Sequence, residues 1–408
     1  MNQRSKISMA VAGACALLGA SAANAGIGFK AGAWDVDFSG NINAFYTSAD
    51  CDATNASTNV VGGLACTNNG DDATAVRSGL LPSALVISAK TNQANFDIGV
   101  TVGFYPGINS VSGAPNANAA GTPVGLGNSG IDMRQNFLTF GQSWGTLKLG
   151  RDLGLFGSDA ILSDMTLLGV GSPAGNAAPS NTSLGRIGLG YIYADWLPQI
   201  TYISPKIGGG FQVSAGVFSP MTIAGGPATS QEDPQFQGKV TWDFSGPVTG
   251  RLWAGAMYQE QTFVTPVAGN SSFDGQGYDV GAKIGFGPAE IVGYYYTGEG
   301  IGTTALFINP VSAAGEERDS DGYYVQGTVK FGPTKLGLSY GVSSLDLASG
   351  EAASNLVDEN TSWVFGIYHA LTSSVNLVFE YIDTESESHL SSVEADDQTW
   401  AIGAILFF

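Results

Sequence analysis

The sequence predicts an all-β fold: a 16-stranded antiparallel transmembrane β-barrel with short periplasmic turns and long external loops. Two observations support this prediction. Apolar and polar side chains alternate along many segments of about ten residues, which is the length of a membrane-spanning strand. Past residue 25, no apolar stretch approaches the roughly 18 residues that a spanning helix requires, so the chain is either soluble or spans as a closed barrel.

The alternation decides between those two options. From 96 to 104, Phe, Ile and Val occupy the even positions, while Asp, Gly and Thr occupy the odd ones. The polar faces of later strands carry charges near mid-strand, for example Lys239, Asp279 and Glu380. A packed sandwich core does not tolerate unpaired charges, whereas a water-filled lumen does. The alternation therefore predicts a barrel whose apolar face meets lipid.

The C-terminal segment 400–408 repeats this pattern. Its apolar side chains share one face, which would promote aggregation in water but suits the wall of a membrane barrel. The alternative is a last strand packed inside a soluble sandwich. The residues on the apolar face are Trp400, Ile402, Ala404, Leu406 and Phe408.

Turns alternate between short and long. A Phe-Gly-Pro theme recurs at 286–288 and 331–333, and a related Phe-Ser-Gly-Pro occurs at 244–247. The regular spacing of these turns could indicate the blades of a propeller. However, the sequence between two successive turns holds two strands of about ten residues rather than four short ones. The predicted strands are 33–47, 81–91, 95–105, 131–141, 145–152, 197–205, 211–219, 234–244, 251–263, 277–286, 289–298, 321–331, 335–345, 361–369, 374–384 and 396–408.

Residues 1–25 are predicted to be a cleaved signal peptide. Two cations precede an apolar segment at 7–20, and small residues at 23–25 supply the cleavage site. Residues 26–408 then form a single barrel domain. Cys15 raises the alternative of a lipoprotein, but the apolar segment continues past it and lacks the expected leucine upstream.

The chain is strongly acidic, with a net charge of −19. Nucleic acid is therefore excluded as a partner. Carboxylates crowd the predicted external loops, as at Asp71, Asp72, Glu316 and Glu317. They are expected to favour cations at the mouth, and to share divalent cations with the phosphates of outer-membrane lipid and lipopolysaccharide.

Two cysteines remain after the signal peptide, Cys51 and Cys66, both in a polar segment. In an exported protein this arrangement predicts a disulfide that closes a small surface loop. The only histidines are His369 and His389, so no zinc shell can be completed. We expect no metal and no cofactor.

Residues 153–186, between the fifth and sixth strands, are less polar than a solvated external loop should be. The run at 165–168 is largely apolar, and acids stand nearby at Asp159 and Asp164. Folding this third loop into the lumen would cover its apolar side chains and narrow the passage. The loop is therefore a candidate for the place where selectivity is set.

A family resemblance follows from the same region. The segment 150–154, Gly-Arg-Asp-Leu-Gly, followed by Asp-Ala-Ile at 159–161 and Asp-Met at 164–165, resembles the strand-five to loop-three segment of the trimeric general porins of Gram-negative bacteria. The resemblance implies an outer-membrane porin that forms a water-filled channel for passive diffusion of ions and small hydrophilic solutes, with an inward third loop. It also implies a homotrimer, and a role for Phe408 as the signal read by the barrel-assembly machinery.

The resemblance implies that Arg151 belongs to a basic wall cluster faced by acids of the loop. The chain departs from the family pattern at 167–171, where Leu168 stands in place of an acid. Lys148 has lumen parity, whereas Arg151 needs a bulge or a rim position to turn inward. The candidate constriction residues are Arg134, Lys148, Arg151, Asp152, Asp159, Asp164 and Arg186.

The residues leave two alternatives to a diffusion porin: a substrate-selective barrel channel, and an adhesin or structural barrel whose loops bind partners. An enzyme is not expected. The Gly-rich segment 125–130 matches a dinucleotide fingerprint in letters only, because no helix follows it. Neither histidine has a plausible nucleophile partner in sequence, although Ser388 and Ser391 lie near His389.

Overall fold

The computed structural model describes residues 26–53, 60–66, 72–108, 131–173 and 181–408, so the expected signal peptide lies outside the described residues. The described chain forms one antiparallel sheet. Its strands are β1 (Ile27–Ala31), β2 (Trp34–Ala53), β3 (Ala73–Arg77), β4 (Ala84–Gln93), β5 (Phe96–Pro106), β6 (Ile131–Gln142), β7 (Gly145–Leu153), β8 (Trp196–Ile203), β9 (Phe211–Phe218), β10 (Gln235–Phe244), β11 (Thr249–Val267), β12 (Asn270–Phe286), β13 (Ala289–Glu299), β14 (Asp319–Phe331), β15 (Thr334–Leu345), β16 (Val357–Ala370), β17 (Val375–Ser388) and β18 (Glu394–Phe407).

Sixteen of these strands form the closed wall, which confirms the predicted fold class. β2 pairs with β18 on one side and with β4 on the other, so neither end of the sheet is left open. The short β1 and β3 each extend a neighbour of β2 and add no further position to the wall. Closure satisfies every strand edge, which the bilayer requires.

Phe408 takes part in the closure. Its backbone N–H donates to the carbonyl of Gly40 at 3.1 Å, and the N–H of Gly40 donates to the carbonyl of Phe408 at 2.9 Å. A side chain at Gly40 would collide with the Ala84 carbonyl and with the Phe408 ring. The absent side chain of Gly40 therefore makes room for this chain's own terminal ring.

Side-chain direction follows the predicted parity. Tyr278, Val280, Trp400 and Ile402 are exposed on the outer face, while Glu380 is fully buried on the inner face. Outer apolar side chains suit lipid, and inner polar ones suit the lumen. The alternation thus gives the correct face along each strand.

One external connection differs from the expected long loop. β11 and β12 continue well beyond 251–263 and 277–286, and they are joined by a tight turn at Ala268 and Gly269, both with positive φ. The ladder extends through Gln261 opposite Phe273, which keeps the backbone paired. The chain here forms a long projecting hairpin, because apolar side chains at its far end pack against the next loop.

Two segments of the chain fold into the external half of the lumen. The first, residues 154–173 and 181–195 between β7 and β8, contains a short helix α1 (Ser158–Ser163) and a 3₁₀ turn (Met165–Leu168). The second, residues 300–318, joins β13 to β14. They pack together in an apolar cluster that includes the fully buried Phe156 and Phe307. The sequence predicted that the third loop folds inward, and the structure places it inside the lumen, whereas the second inward segment was not predicted.

Both segments turn inward because their apolar side chains become buried only when they leave the external solvent. No helix among the described residues is both long and apolar enough to cross a membrane.

Candidate functional site

The first inward segment, residues 154–173 and 181–195, which we call the inward loop, is fixed to the wall by side chains that accept its backbone N–H groups. Gln237 accepts from Leu155 and Phe156, and its Oε1 lies 2.6 and 3.0 Å from the two nitrogens. Further around the barrel, Asp279 accepts from Gly157 at 2.9 Å. The wall thereby replaces the water that would otherwise solvate these amides.

Two more acceptors hold the far part of the inward loop. The Gln326 Oε1 accepts from the Met165 N–H at 2.7 Å. The Glu380 Oε2 accepts from the N–H groups of Val170 and Gly171 at 2.8 and 2.9 Å, while its Oε1 accepts from the Tyr368 hydroxyl at 2.7 Å. The inward loop is therefore anchored to four wall strands, β10, β12, β14 and β17.

Sequence reasoning did not find these four anchors as loop contacts. Their inward parity was visible, but a polar side chain in a barrel strand ordinarily faces water. The partners lie far apart in sequence, at a separation of 210 residues for Glu380 and Val170. Which polar side chains of the wall contact the inward loop depends on the path of that loop.

The strongest ion pairing of the inward loop is at Asp159, on α1. Its carboxylate lies 2.6 Å from Lys239 Nζ and 2.8 Å from Arg251 Nη1. Burial by itself raises the pKa of Asp159, but the charges of Lys239 and Arg251 outweigh it and hold the pKa below its ordinary value. Asp159 was a predicted site residue, whereas its two partners were not.

We expect Asp159→Asn to lower the free energy of unfolding by about 2 to 3 kcal/mol at neutral pH, because two charged hydrogen bonds are lost. The folded-state pKa lies below the ordinary value of 3.8, so the stabilisation is present above that pH and is lost as the pH falls further. Unfolding midpoints in detergent over a pH series measure this. Asp35→Asn, in an exposed pair with Lys30, is the control and should leave the midpoint nearly unchanged. A variant as stable as the wild type at pH 7 would contradict the prediction.

Three predicted residues come together on the β6 and β7 wall. Arg134 pairs with Asp132 at 3.0 Å, and Lys148 pairs with Asp152. Gln135, next to Arg134 in sequence, donates to Asp152 at 3.1 Å. Each of these cations is paired with a carboxylate of its own wall.

Arg151 lies apart from that group. It shares the strand face of Leu147 and Leu149, and its Nη1 donates to the backbone carbonyl of Trp196 at 2.8 Å. This contact ties β7 to the start of β8. The structure therefore gives Arg151 a contact that joins the two ends of the inward loop.

Asp164 and Arg186 lie at the far part of the inward loop. Asp164 caps the 3₁₀ turn by accepting from the Thr166 N–H at 2.9 Å, and it accepts from the Tyr191 hydroxyl at 2.8 Å. Arg186 is fully buried and donates to the Ser362 carbonyl at 2.6 Å. Burial lowers the pKa of Arg186, against the opposing effect of the Asp164 charge.

The second inward segment, residues 300–318, was not predicted. It joins the inward loop through the Tyr193 N–H, which donates to the Thr304 carbonyl at 2.9 Å. Ile301 and Phe307 are fully buried. Its sequence contains an apolar run comparable to the one that marked the inward loop, so the same signal could have found it.

A third external segment, 60–66, is held over the lumen. Cys51 and Cys66 form a disulfide with a Cα–Cα distance of 5.3 Å. The N–H groups of Leu64 and Ala65 donate to the Ser386 hydroxyl of β17 at 2.9 and 3.0 Å. The disulfide thus tethers this segment to the external end of β2. Within the described ranges, no group of three or more His, Cys, Asp or Glu residues is placed to hold a metal ion.

The closed barrel with an apolar outer face and a loop folded into its lumen defines an outer-membrane channel. The sequence matches the profile of the Gram-negative porins over residues 10–389, and the chain belongs to this family. The protein is accordingly a multi-pass β-barrel of the outer membrane and a channel for solute diffusion, not an enzyme.

Solved structures share this fold at low sequence identity. The outer-membrane channel DcaP of Acinetobacter baumannii has a TM-score of 0.67 and 16% identity, and the match covers 93% of this chain and 99% of that one. The anion-selective porin from Comamonas acidovorans has a TM-score of 0.61 and 15% identity, over 92% and 100% of the two chains. The trimer form of in-vitro folded OmpT from Vibrio cholerae has a TM-score of 0.52 and 15% identity, also over 92% and 100%. No curated protein sequence matches the chain.

Proposed function

We propose that the protein is a passive diffusion porin whose selectivity is set where the inward loop narrows the lumen. The observation that carries this proposal is the position of the inward loop, which is anchored inside the barrel to β10, β12, β14 and β17. A fixed loop leaves a narrow polar passage of constant shape. Small hydrophilic solutes and ions pass through it, and larger or apolar ones are excluded.

The charges that act on a solute at this constriction are proposed to be those around Asp159, together with the Arg134 and Lys148 pairs, which lie about a quarter of the way around the wall. Opposite charges across a narrow passage create a transverse field that orients dipolar solutes. Asp164 and Arg186 lie deeper and hold the shape of the inward loop. Arg151 acts on the ends of the inward loop and not on the solute.

We further propose a homotrimer, supported by the resemblance to trimeric porins and by the trimer form of the OmpT structure. Contacts with lipopolysaccharide and recognition of Phe408 by the barrel-assembly machinery belong to the same proposal. The hydrogen bonds between Phe408 and Gly40 give the last residue a role in barrel closure that fits such recognition. Residues 1–25 are proposed to be removed during export.

Recording purified protein in a planar bilayer tests the function. We expect stepwise conductance in groups of three, and liposome swelling rates that fall steeply as the sugar size increases. Small single steps blocked by one solute would favour a substrate-selective channel instead. A correctly folded protein without conductance would contradict the proposal and favour an adhesin or structural barrel.

A further inference from the structure

Five cations lie on the inner face of β10 to β15, in the half of the barrel that the periplasmic turns close. We call them the basic strip: Lys239, Arg251, Lys283, Lys330 and Lys335. The strand register sets two pairs of like charges directly opposite each other. Arg251 is the partner of Lys283, and Lys330 is the partner of Lys335. Like charges in this position destabilise a sheet, so strand pairing alone does not account for them.

Local carboxylates neutralise only one end of the basic strip. Asp243 lies 2.6 Å from Arg251, and Glu290 lies 3.2 Å from Lys283. At the other end, Lys330 and Lys335 have no carboxylate within 4.0 Å among the described residues, and the ammonium of Lys335 lies 4.6 Å from the centroid of the Tyr368 ring. Two adjacent positive charges are left facing the lumen.

The carboxylates deeper in the lumen do not neutralise Lys330 and Lys335, because they already bind other groups. Asp159 is bound to Lys239 and Arg251, and both Asp279 and Glu380 accept N–H groups of the inward loop. Their hydrogen bonds hold the inward loop in place. The unneutralised charge therefore remains on the periplasmic side of the inward loop, where Lys330 is exposed and Lys335 is half-buried.

The opposite wall carries charges of the other sign. In the closed strand order, β2 lies halfway around the barrel from β11, and β5 lies halfway around from β13. The inward positions of these strands near the periplasmic turns hold Asp35, Asp37 and Asp97, with Lys90 on the strand between them and Lys30 of β1 paired with Asp35 at 3.1 Å. The periplasmic vestibule is thus polarised, with cations concentrated on β10 to β15.

We propose that the basic strip is a binding wall for small anionic solutes that carry a carboxylate or phosphate group, centred on Lys330 and Lys335. Cross-strand partners have Cβ atoms about 5 Å apart, so both flexible ammonium groups reach one oxyanion. An oxyanion between them also relieves their mutual repulsion. This inference rests on the proposed channel function and specifies the class of solute that the vestibule holds.

The acidic external loops do not oppose this site. They lie at the other end of the barrel, and exposed charges are largely screened beyond about 8 Å at physiological ionic strength. Low-dielectric walls focus the field of charges inside the vestibule. The vestibule therefore holds anions even though the chain carries a net charge of −19 and its external mouth is acidic.

Blocking of the chloride current by inorganic phosphate tests the inference. Wild-type channels in a planar bilayer receive phosphate on one side and then on the other, and we expect block from the periplasmic side only. Lys330→Gln and Lys335→Gln each remove one charge and should raise the half-blocking concentration about threefold, as expected for the loss of one charge contact. Lys90→Gln is the matched control, since it removes the same charge from an inward position on the opposite wall.

The possible outcomes distinguish a failure of the proposed anion site from a failure of the proposed channel function. A conducting wild type that phosphate does not block, or blocks equally from both sides, overturns the site and leaves the channel function intact. Equal effects of all three substitutions would show a general influence of lumen charge and would also overturn it. Absence of conductance would count against the proposed function. Heat-modified gel mobility verifies that each variant is folded.

Discussion

Replacing Glu380 with alanine is expected to raise the single-channel conductance and to make the current noisy. The change leaves the N–H groups of Val170 and Gly171 and the hydroxyl of Tyr368 without their acceptor, in a place where Glu380 is fully buried. Each unsatisfied buried group costs about 1 to 3 kcal/mol. The adjoining part of the inward loop is expected to move away from the wall, because its N–H groups can then form hydrogen bonds with water. This movement changes the width of the passage.

Two comparisons make this prediction specific. Glu385→Ala removes the same side chain from the outer face of the same strand, so its conductance should match the wild type. Glu380→Gln keeps one carbonyl acceptor and should give an intermediate effect. Because the inward loop retains its contacts with Gln237, Asp279 and Gln326, the barrel itself should remain folded.

Planar-bilayer recordings at constant voltage provide the measurement, together with the gel mobility of heated and unheated protein. If Glu380→Ala conducts like the wild type with the same noise, then Glu380 does not hold the inward loop. If Glu385→Ala behaves like Glu380→Ala, the effect arises from the strand and not from the anchor. Either result would contradict the prediction.

The strands of the wall could be predicted from sequence because two constraints act on each residue independently. A period of two fixes which side chains face lipid, and membrane thickness fixes the length. Trp400 and Ile402, for example, lie on the outer face as expected. The sixth predicted strand, 197–205, corresponds closely to the observed Trp196–Ile203.

Contacts inside the lumen could not be predicted in the same way. Asp159 meets Lys239 and Arg251 across 80 and 92 residues of sequence, and no local period links them. The distance between Asp159 and its two partners depends on the path of the inward loop. That path is determined by packing against several strands at once. The apolar character of a loop indicates that it turns inward, but it does not indicate the wall strands that it contacts.

The projecting hairpin and the second inward segment illustrate the same limit. Both lie in external connections, where neither lipid nor strand period constrains the sequence. Phe263 and Phe273 of the hairpin pack with Val311 of the 300–318 segment, so each becomes ordered through the other. Such mutual dependence is a property of tertiary packing and leaves no periodic signal in either segment alone.

The second large effect is expected from breaking the disulfide between Cys51 and Cys66. The bridge spans 15 residues, and a cross-link of that length stabilises a fold by about 3 kcal/mol. In this chain it also holds Leu64 within the apolar cluster of the lumen, beside Gly188 of the inward loop. Loss of the bridge should therefore lower the unfolding midpoint and loosen the 60–66 segment over the lumen.

A double Cys51→Ser/Cys66→Ser variant, and wild type treated with reductant on the external side, should both show larger or more variable conductance than oxidised wild type. Ser386→Ala is the comparison, because it keeps the bridge but removes the acceptor of the Leu64 and Ala65 N–H groups. If the disulfide and Ser386 hold the same segment, combining the changes should have less effect than the sum of the two, since residues of one network are not additive. Identical currents before and after reduction would mean that the bridge does not control the position of the segment. Strict additivity would mean that the bridge and Ser386 act on different parts of the channel.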